Sequence, residues 1–246
     1  MRIKLICCDV FLRPVSAFVS TSPHIIDVEY VPMLAHNKPD ILRADLQARI
    51  NAAATVRGYD LFLLLFGLCG NATVGLTCHV KMVMPRIHDC CTMFMGSKDK
   101  FLQEFGDKLS MRWCTSGYYE RSYIKNGLDD TPSKSHKIYA EYRALVEQYG
   151  EDNAEYIWDA LHPEIETPEA AYIRISGFEM PGHQDGFRQL VEKQGKTLRL
   201  LEGDTTYLKD MINGPWDNNR FLTINPGERI CPVYDMEQVV AAEPAC

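Results

Sequence analysis

The sequence predicts an α/β fold with two lobes whose sheets are mainly parallel and which are bridged by helices. Apolar runs such as YDLFLLLFG are continuous, as in strands that are covered on both faces of a parallel sheet. Segments with helical spacing of apolar residues separate these runs, and a polar, turn-rich stretch divides the chain. Alternating strands and helices are typical of Rossmann-like lobes, and 246 residues suffice for two of them.

The first lobe is predicted over residues 1–110. Its strands are predicted at RIKLICCDVF, HIIDVEYVP, YDLFLLLFG and HVKMVMP. One helix is predicted at KPDILRADLQARINAAATV, where Pro39 stands near the start and Gly58 follows the end. A second helix is predicted at KDKFLQEFGDKL. This alternation is that of a doubly wound lobe.

A helical bridge is predicted over residues 111–164, and the second lobe over residues 165–235. The bridge contains the turn-rich GLDDTPSKSH and two helical stretches, HKIYAEYRALVEQYG and EDNAEYIWDALH. The second lobe repeats the α/β rhythm, with strands at AAYIRIS, TLRLLEG and RFLTINPG and helices at QDGFRQLVEKQG and TTYLKDMING. Residues 236–246 are predicted to form a loose tail.

Charge and hydropathy argue against two classes of partner. The 26 basic and 33 acidic residues give a net charge of −7, which does not favour nucleic-acid binding. The sequence has no apolar stretch near the ~20 residues of a membrane-spanning helix. The N-terminal MRIKLICCDV lacks the features of a signal peptide. We therefore expect a cytoplasmic protein with no nucleic-acid or membrane partner.

Nine cysteines are a high and odd number for such a chain. In a reducing compartment disulfides are not expected, which leaves metal binding, reactivity or simple burial. The chain contains no C-x-x-C pair, so a compact zinc ribbon or a thioredoxin-type motif is excluded. Any metal site must therefore draw its cysteines from distant parts of the sequence.

Three cysteines follow predicted strands of the first lobe. Cys8 lies at the end of the first strand, Cys69 just after YDLFLLLFG, and Cys90 just after KMVMP. The carboxyl ends of parallel strands meet at one edge of a sheet, where ligands bind. We therefore predict that Cys8, Cys69 and Cys90 bind one metal centre. Iron–sulfur clusters are usually bound by such thiolates.

Zinc is an alternative to a cluster, because His88 and Cys90 form an H-x-C arrangement. His88 with Cys90 and Cys69 or Cys8 would leave zinc one open position, as in catalytic zinc sites. Soft thiolate ligands suit zinc or iron–sulfur better than magnesium or calcium. The residues alone do not choose between these two metals.

Five further residues are candidates for cofactor binding. Gly67, Gly70 and Asn71 surround Cys69, where glycine allows the backbone to approach a bound group and Asn71 offers a hydrogen bond. Arg86 offers positive charge to an anionic cofactor, and Asp89 is able to orient a ligand or cap the following helix. The competing interpretations are a tight turn for the loop and an ion pair for Arg86.

Several motifs together resemble a known family. They are YDLFLLLFGLCGN, PRIHDCCTMFMGS, the early CCDV, HNKPD with His36, and the distal GD, GPWD and PG. The chain resembles an uncharacterised domain-of-unknown-function family of methanogens and other anaerobes. Its genes often occur near corrinoid-dependent methyltransferases, including those for methylamines. The family pattern carries over to Cys8, Cys69, His88, Asp89 and Cys90, although this chain has CC at two places where one cysteine is expected.

The resemblance implies a role in methyl-group metabolism. We expect an iron–sulfur accessory protein with a 4Fe-4S cluster, whose partner is a corrinoid protein or a corrinoid-dependent methyltransferase. Its role would be electron delivery, cofactor maintenance or complex assembly. Two alternatives remain at this point: zinc-dependent methyl transfer to a thiol, and a metal-free binding subunit of a methyltransferase complex. Whether the protein is an enzyme, and which residues would be catalytic, is not predicted.

Overall fold

The structure is a computed structural model. It describes residues 1–33, 38–56, 58–106, 111–126, 145–146, 148–150, 153–154, 156–157, 167–233, 235 and 237–245. The predicted GLDDTPSKSH stretch and most of the two helical stretches after it lie outside these ranges. Residues 111–126 of the predicted bridge are described, and they contain a strand, Arg112–Cys114, before a helix, Ser116–Asn126. The rest of the helical bridge stays a prediction.

Strands and helices alternate along most of the described chain. The strands are β1 (Arg2–Cys8), β2 (Ile25–Val31), β3 (Leu61–Leu65), β4 (Met82–Pro85), β5 (Arg112–Cys114), β6 (Glu169–Arg174), β7 (Thr197–Glu202), β8 (Phe221–Ile224), β9 (Glu228–Pro232) and β10 (Val240–Pro244). The helices are α1 (Leu12–Ser20), α2 (Pro39–Ala54), α3 (Cys90–Met95), α4 (Lys98–Phe105), α5 (Ser116–Asn126), α6 (His183–Lys193) and α7 (Thr206–Asn213). No helix in the described residues is long and apolar enough to cross a membrane.

The first sheet has five strands in the order β2-β1-β3-β4-β8. β1 pairs in parallel with β2 and β3, β3 pairs in parallel with β4, and β8 runs antiparallel at the edge. Every residue of β3 is buried, which explains its continuous apolar run. The predicted α/β fold with a mainly parallel sheet is therefore confirmed.

The second sheet has the order β5-β6-β7, and its strands are all parallel. Side chains of β6 alternate between two apolar clusters because successive residues of a strand face opposite sides. Ala171 and Ile173 belong to the core shared with the first sheet, whereas Ala170 and Tyr172 pack with Phe187 of α6. The second sheet thus stacks one face against the first lobe and covers the other with helices.

Several segments differ from the sequence prediction. β5 lies in the predicted helical bridge, but it pairs in parallel with β6 of the second sheet. The sequence predicts RFLTINPG in the second lobe, but its strand β8 pairs antiparallel with β4 of the first sheet. The backbone N–H of Arg86 extends this pairing by donating to the carbonyl of Arg220 at 2.8 Å. The predicted loose tail contains β10, which pairs antiparallel with β9. An apolar run predicts that a strand forms, but it does not predict which strand it pairs with. The partners of β8 and β10 are therefore known only from the folded chain.

Candidate metal centre

The carboxyl ends of β1 and β3 and the start of α3 open into one cleft. The cleft has about 930 Å³ of empty space, part of which is open to solvent, and Cys8, Cys69 and Cys90 all line it. The structure therefore brings together the three cysteines that the sequence analysis selected.

The three thiols are close enough to affect one another electrostatically. Burial is the main cause that raises the pKa of each, and it raises the pKa of Cys69 to about 12. The Cys90 thiol also has its pKa raised by Cys8 and Cys69, and Cys69 has the same effect on Cys8. The thiols are therefore protonated at neutral pH, and a bound metal would displace their protons.

The structure distinguishes the two members of each cysteine pair. Cys7 and Cys91 are fully buried in the apolar core and do not line the cleft. Cys7 faces away from Cys8 because side chains alternate along β1. Cys90 is the first residue of α3 and Cys91 the second, so the turn of the helix directs them differently. Cys8 and Cys90 are thus the members available to a ligand.

The loops after β3 and β4 hold Cys69 beside the start of α3. The backbone N–H of Leu68 donates to the carbonyl of Ile87 at 3.0 Å, and that of Cys69 donates to the carbonyl of His88 at 2.9 Å. A Cβ at Gly67 would lie 2.7 Å from the carbonyl oxygen of His88, closer than packing allows. Gly67, which lines the cleft, is therefore required for this close approach of two backbones.

The turn that carries Cys69 has an unusual backbone. Cys69, Gly70 and Asn71 have φ angles of +47°, +64° and +68°, in the left-handed region. Such angles are uncommon for residues other than glycine and occur where surrounding structure enforces them. The Asn71 carbonyl accepts from Arg43 Nη2 at 2.8 Å, which supports the turn. Gly70 and Asn71 do not line the cleft, so in the structure they shape the loop.

Asp89 lines the cleft and also caps α3. Its Oδ1 accepts from the backbone N–H groups of Cys91 at 3.0 Å and Thr92 at 3.3 Å. Burial raises the pKa of this carboxyl group, while the two N–H donors act in the opposite direction. The capping role foreseen in the sequence is observed, and it leaves the carboxylate at the cleft.

His88 is not brought together with the cysteines. It lies between Ile87 and Asp89, which both line the cleft, and its own side chain does not. Both ring nitrogens are buried and have no hydrogen-bond partner among the described residues. Burial lowers the pKa of His88 to about 4, with Lys98 and Asp235 as its charged neighbours. His88 and Cys90 form an H-x-C arrangement in the sequence, but only the Cys90 side chain lines the cleft.

Arg86 also lies away from the cleft. Its Nε donates to the carbonyl of Asn218 at 2.9 Å, and its Nη1 donates to the carbonyls of Gln238, at 3.2 Å, and Val240. The guanidinium group thus ties the end of β4 to the segments around β8 and β10. His36 of the HNKPD motif lies outside the described residues.

Sequence reasoning missed the wall of the cleft that faces the cysteines. This wall contains Arg112 and Trp113 of β5, Tyr118 of α5 and Phe187 of α6. The rings of Trp113 and Tyr118 lie 5.0 Å apart. The sequence signal was weak, since a three-residue strand next to an aromatic-rich helix start is not distinctive. Only the stacking of the two sheets makes these residues part of the site.

The described residues contain no group of three or more His, Cys, Asp or Glu side chains arranged to hold a single metal ion.

Comparison with curated proteins gave no match, and comparison with solved structures gave none either. The family model described as "Protein of unknown function (DUF1638)" matches residues 30–212, about three-quarters of the chain. The match includes Cys69, Asp89 and Cys90 and begins after Cys8. The chain therefore belongs to the DUF1638 family.

Proposed function

We propose that the protein is an iron–sulfur accessory protein in which Cys8, Cys69 and Cys90 bind one 4Fe-4S cluster. One observation carries the proposal: three thiols from separate strand ends line the same cleft and interact electrostatically. Cysteine thiolates are the usual ligands of such clusters. A 4Fe-4S cluster has four iron atoms, so three cysteines leave one iron without a thiolate ligand from the cleft.

The donor set suits a cluster better than a single ion. Zinc needs its ligands to converge on one point, at about 2.3 Å for each sulfur. The described part of the chain shows no such convergence, and His88 is directed away from the cleft. A cluster does not need it, because each thiolate binds a different iron atom. The zinc alternative therefore receives no support from these contacts.

A bound cluster supplies one-electron transfer at a potential set by burial, charge and hydrogen bonds around the sulfurs. In this chain the cysteines would bind it, and apolar side chains such as Phe11, Phe66 and Trp113 would limit its contact with water. We propose that the electrons or the assembled cluster serve a corrinoid-dependent methyltransferase. Oxidised corrinoids need low-potential electrons to return to Co(I). This partner rests on the family resemblance of the sequence motifs.

Anaerobic reconstitution of the full chain with ferrous iron and sulfide tests the cluster. The expected result is about four iron and four sulfide per chain, as in a 4Fe-4S centre. Cys8→Ala, Cys69→Ala and Cys90→Ala should each lose most of this iron. Cys7→Ala and Cys91→Ala are matched controls, because they alter neighbouring buried cysteines outside the cleft. Iron loss in the controls alone, or zinc in place of iron, would contradict the assignment.

The partner requires a separate experiment. The reduced, reconstituted protein should convert a Co(II) corrinoid protein to Co(I), followed by the absorption of the corrinoid. The Cys69→Ala variant should not support this conversion. If the wild-type cluster forms but no corrinoid protein is reduced or bound, the cluster assignment stands and the methyltransferase role fails.

A further inference from the structure

We propose that Asp89 is the fourth ligand of the cluster, so that three thiolates and one carboxylate form the donor set. This inference rests on the proposed function and names the residue that binds the iron left without a thiolate. Asp89 supplies the one carboxylate among the described side chains that line the cleft, where the other charged residue is the cation Arg112.

The position of Asp89 relative to the thiols supports this role. Asp89 lines the same cleft as Cys69 and Cys90 and directly precedes Cys90 as the N-cap of α3. The backbone N–H of Cys69 donates to the carbonyl of His88, the residue before Asp89, at 2.9 Å. Like charges in a buried site are unfavourable unless a cation or protons compensate them. A positively charged iron centre between these groups would provide that compensation.

One oxygen of Asp89 is committed and the other is not. Oδ1 accepts the two backbone N–H groups at the start of α3, whereas no described residue donates a hydrogen bond to Oδ2. A carboxylate has about four acceptor positions, so capping the helix and binding a metal are compatible. The cap also restricts rotation of the side chain, which leaves Oδ2 in a defined position.

The backbone of Asp89 is fixed as well. A Cβ on Gly67 would lie 2.9 Å from the backbone nitrogen of Asp89, so the two loops are in close contact. Cys69 holds the preceding carbonyl, that of His88, by a hydrogen bond of 2.9 Å. Ligands held rigidly by their surroundings bind metals in a defined geometry. The same backbone contacts thus position both Cys69 and Asp89.

A carboxylate ligand has a measurable consequence. Oxygen is a harder ligand than sulfur, so the iron bound to Asp89 should exchange more readily than the three bound to cysteine. A one-electron oxidant such as ferricyanide should therefore convert the wild-type 4Fe-4S cluster, in its 2+ state, to a 3Fe-4S cluster in its 1+ state with release of one Fe²⁺. The three-iron product is followed by its electron paramagnetic resonance signal. The rate of this release is a readout that does not depend on activity.

Three substitutions at Asp89 test the ligand role. Asp89→Asn and Asp89→Ser keep a side chain that caps helices well, so the folding of the apo-protein should change little. Both should release the fourth iron roughly tenfold or more faster than wild type. Changes to residues around a metal site typically lower metal affinity or activity by about this factor or more. Asp89→Cys supplies a fourth thiolate and should release it more slowly than wild type.

Asp9→Asn is the matched control. Asp9 also affects the Cys8 thiol electrostatically, but its Oδ1 accepts from the Met33 N–H at 2.8 Å and it does not line the cleft. Its iron release should equal that of wild type. Equal release and identical spectra in all three Asp89 variants would overturn the ligand role while leaving the cysteine cluster intact. Failure of the wild-type chain to take up any cluster would overturn both proposals.

Discussion

The backbone N–H of Cys69 donates to the carbonyl of His88 at 2.9 Å, and this contact joins the two loops that build the site. Together with the bond from the Leu68 N–H to the Ile87 carbonyl, it links the loops that follow the paired strands β3 and β4. Cys69 is thereby held beside the segment that carries Asp89 and Cys90. The hydrogen bond explains how a motif at residue 69 and a motif at residue 90 form one site.

Gly67→Ala should disturb both folding and cluster binding. The added Cβ would meet the His88 carbonyl at 2.7 Å, so one loop must move. Overpacking of this kind costs about 1–3 kcal/mol, and here it displaces Cys69 and Asp89. Urea unfolding and iron content measure the two effects. Gly227→Ala is the control, because nothing lies within 4 Å of its Cβ position and its φ of +89° makes it strained in its own right. It should lose stability and keep iron.

Gly70 tests the left-handed turn. At its φ of +64°, alanine is disfavoured by about 1–2 kcal/mol, whereas asparagine tolerates this conformation better. An added Cβ meets only Pro39 Cγ, at an ordinary 3.5 Å. Gly70→Asn should therefore retain more iron and a higher melting temperature than Gly70→Ala. Equal behaviour of the two variants would show that backbone conformation is not what glycine provides here.

Arg86→Ala should destabilise the fold without removing iron. The substitution leaves the carbonyls of Asn218, Gln238 and Val240 without their guanidinium donor. Asn218 and Gln238 are exposed, so water replaces the donor there, whereas Val240 is buried. Loss of the partner of a buried carbonyl costs about 1–3 kcal/mol, so the midpoint of urea denaturation should fall. Arg86→Lys keeps the charge but loses the branched donor group. Its denaturation midpoint should lie between those of wild type and Arg86→Ala. Loss of iron with unchanged stability would instead support the cofactor role predicted from the sequence.

His88→Leu should leave iron content unchanged. Both ring nitrogens are buried and have no hydrogen-bond partner in the part of the chain that the structure describes, so an apolar side chain of similar size removes an unsatisfied polar group. The free energy of unfolding should stay equal or rise, as measured by urea denaturation of the apo-protein. A variant that folds normally but no longer binds metal would return His88 to the ligand set.

The sequence by itself determined the strands β1 to β4 of the first lobe and the three cysteines at or just after the ends of β1, β3 and β4. Apolar runs such as YDLFLLLFG are long enough to be strands and too apolar to lie at the surface. The carboxyl ends of parallel strands lie at one edge of the sheet. This is why Cys8, Cys69 and Cys90 were found without any local motif. The strand order, which the sequence does not give, makes β1, β3 and β4 neighbours and so brings their ends together.

The tertiary structure alone decided which side chains face the cleft. Cys7 and Cys8 have the same chemistry, and packing against the core selects which one alternates outward along β1. The same holds for His88, which does not line the cleft although Ile87 and Asp89 on either side of it do. Trp113 reaches the site because two sheets stack, and Arg86 finds carbonyls about 130 to 150 residues away because β8 and β10 return to β4. Such contacts depend on how distant segments pack, and neighbouring residues in the sequence do not encode them.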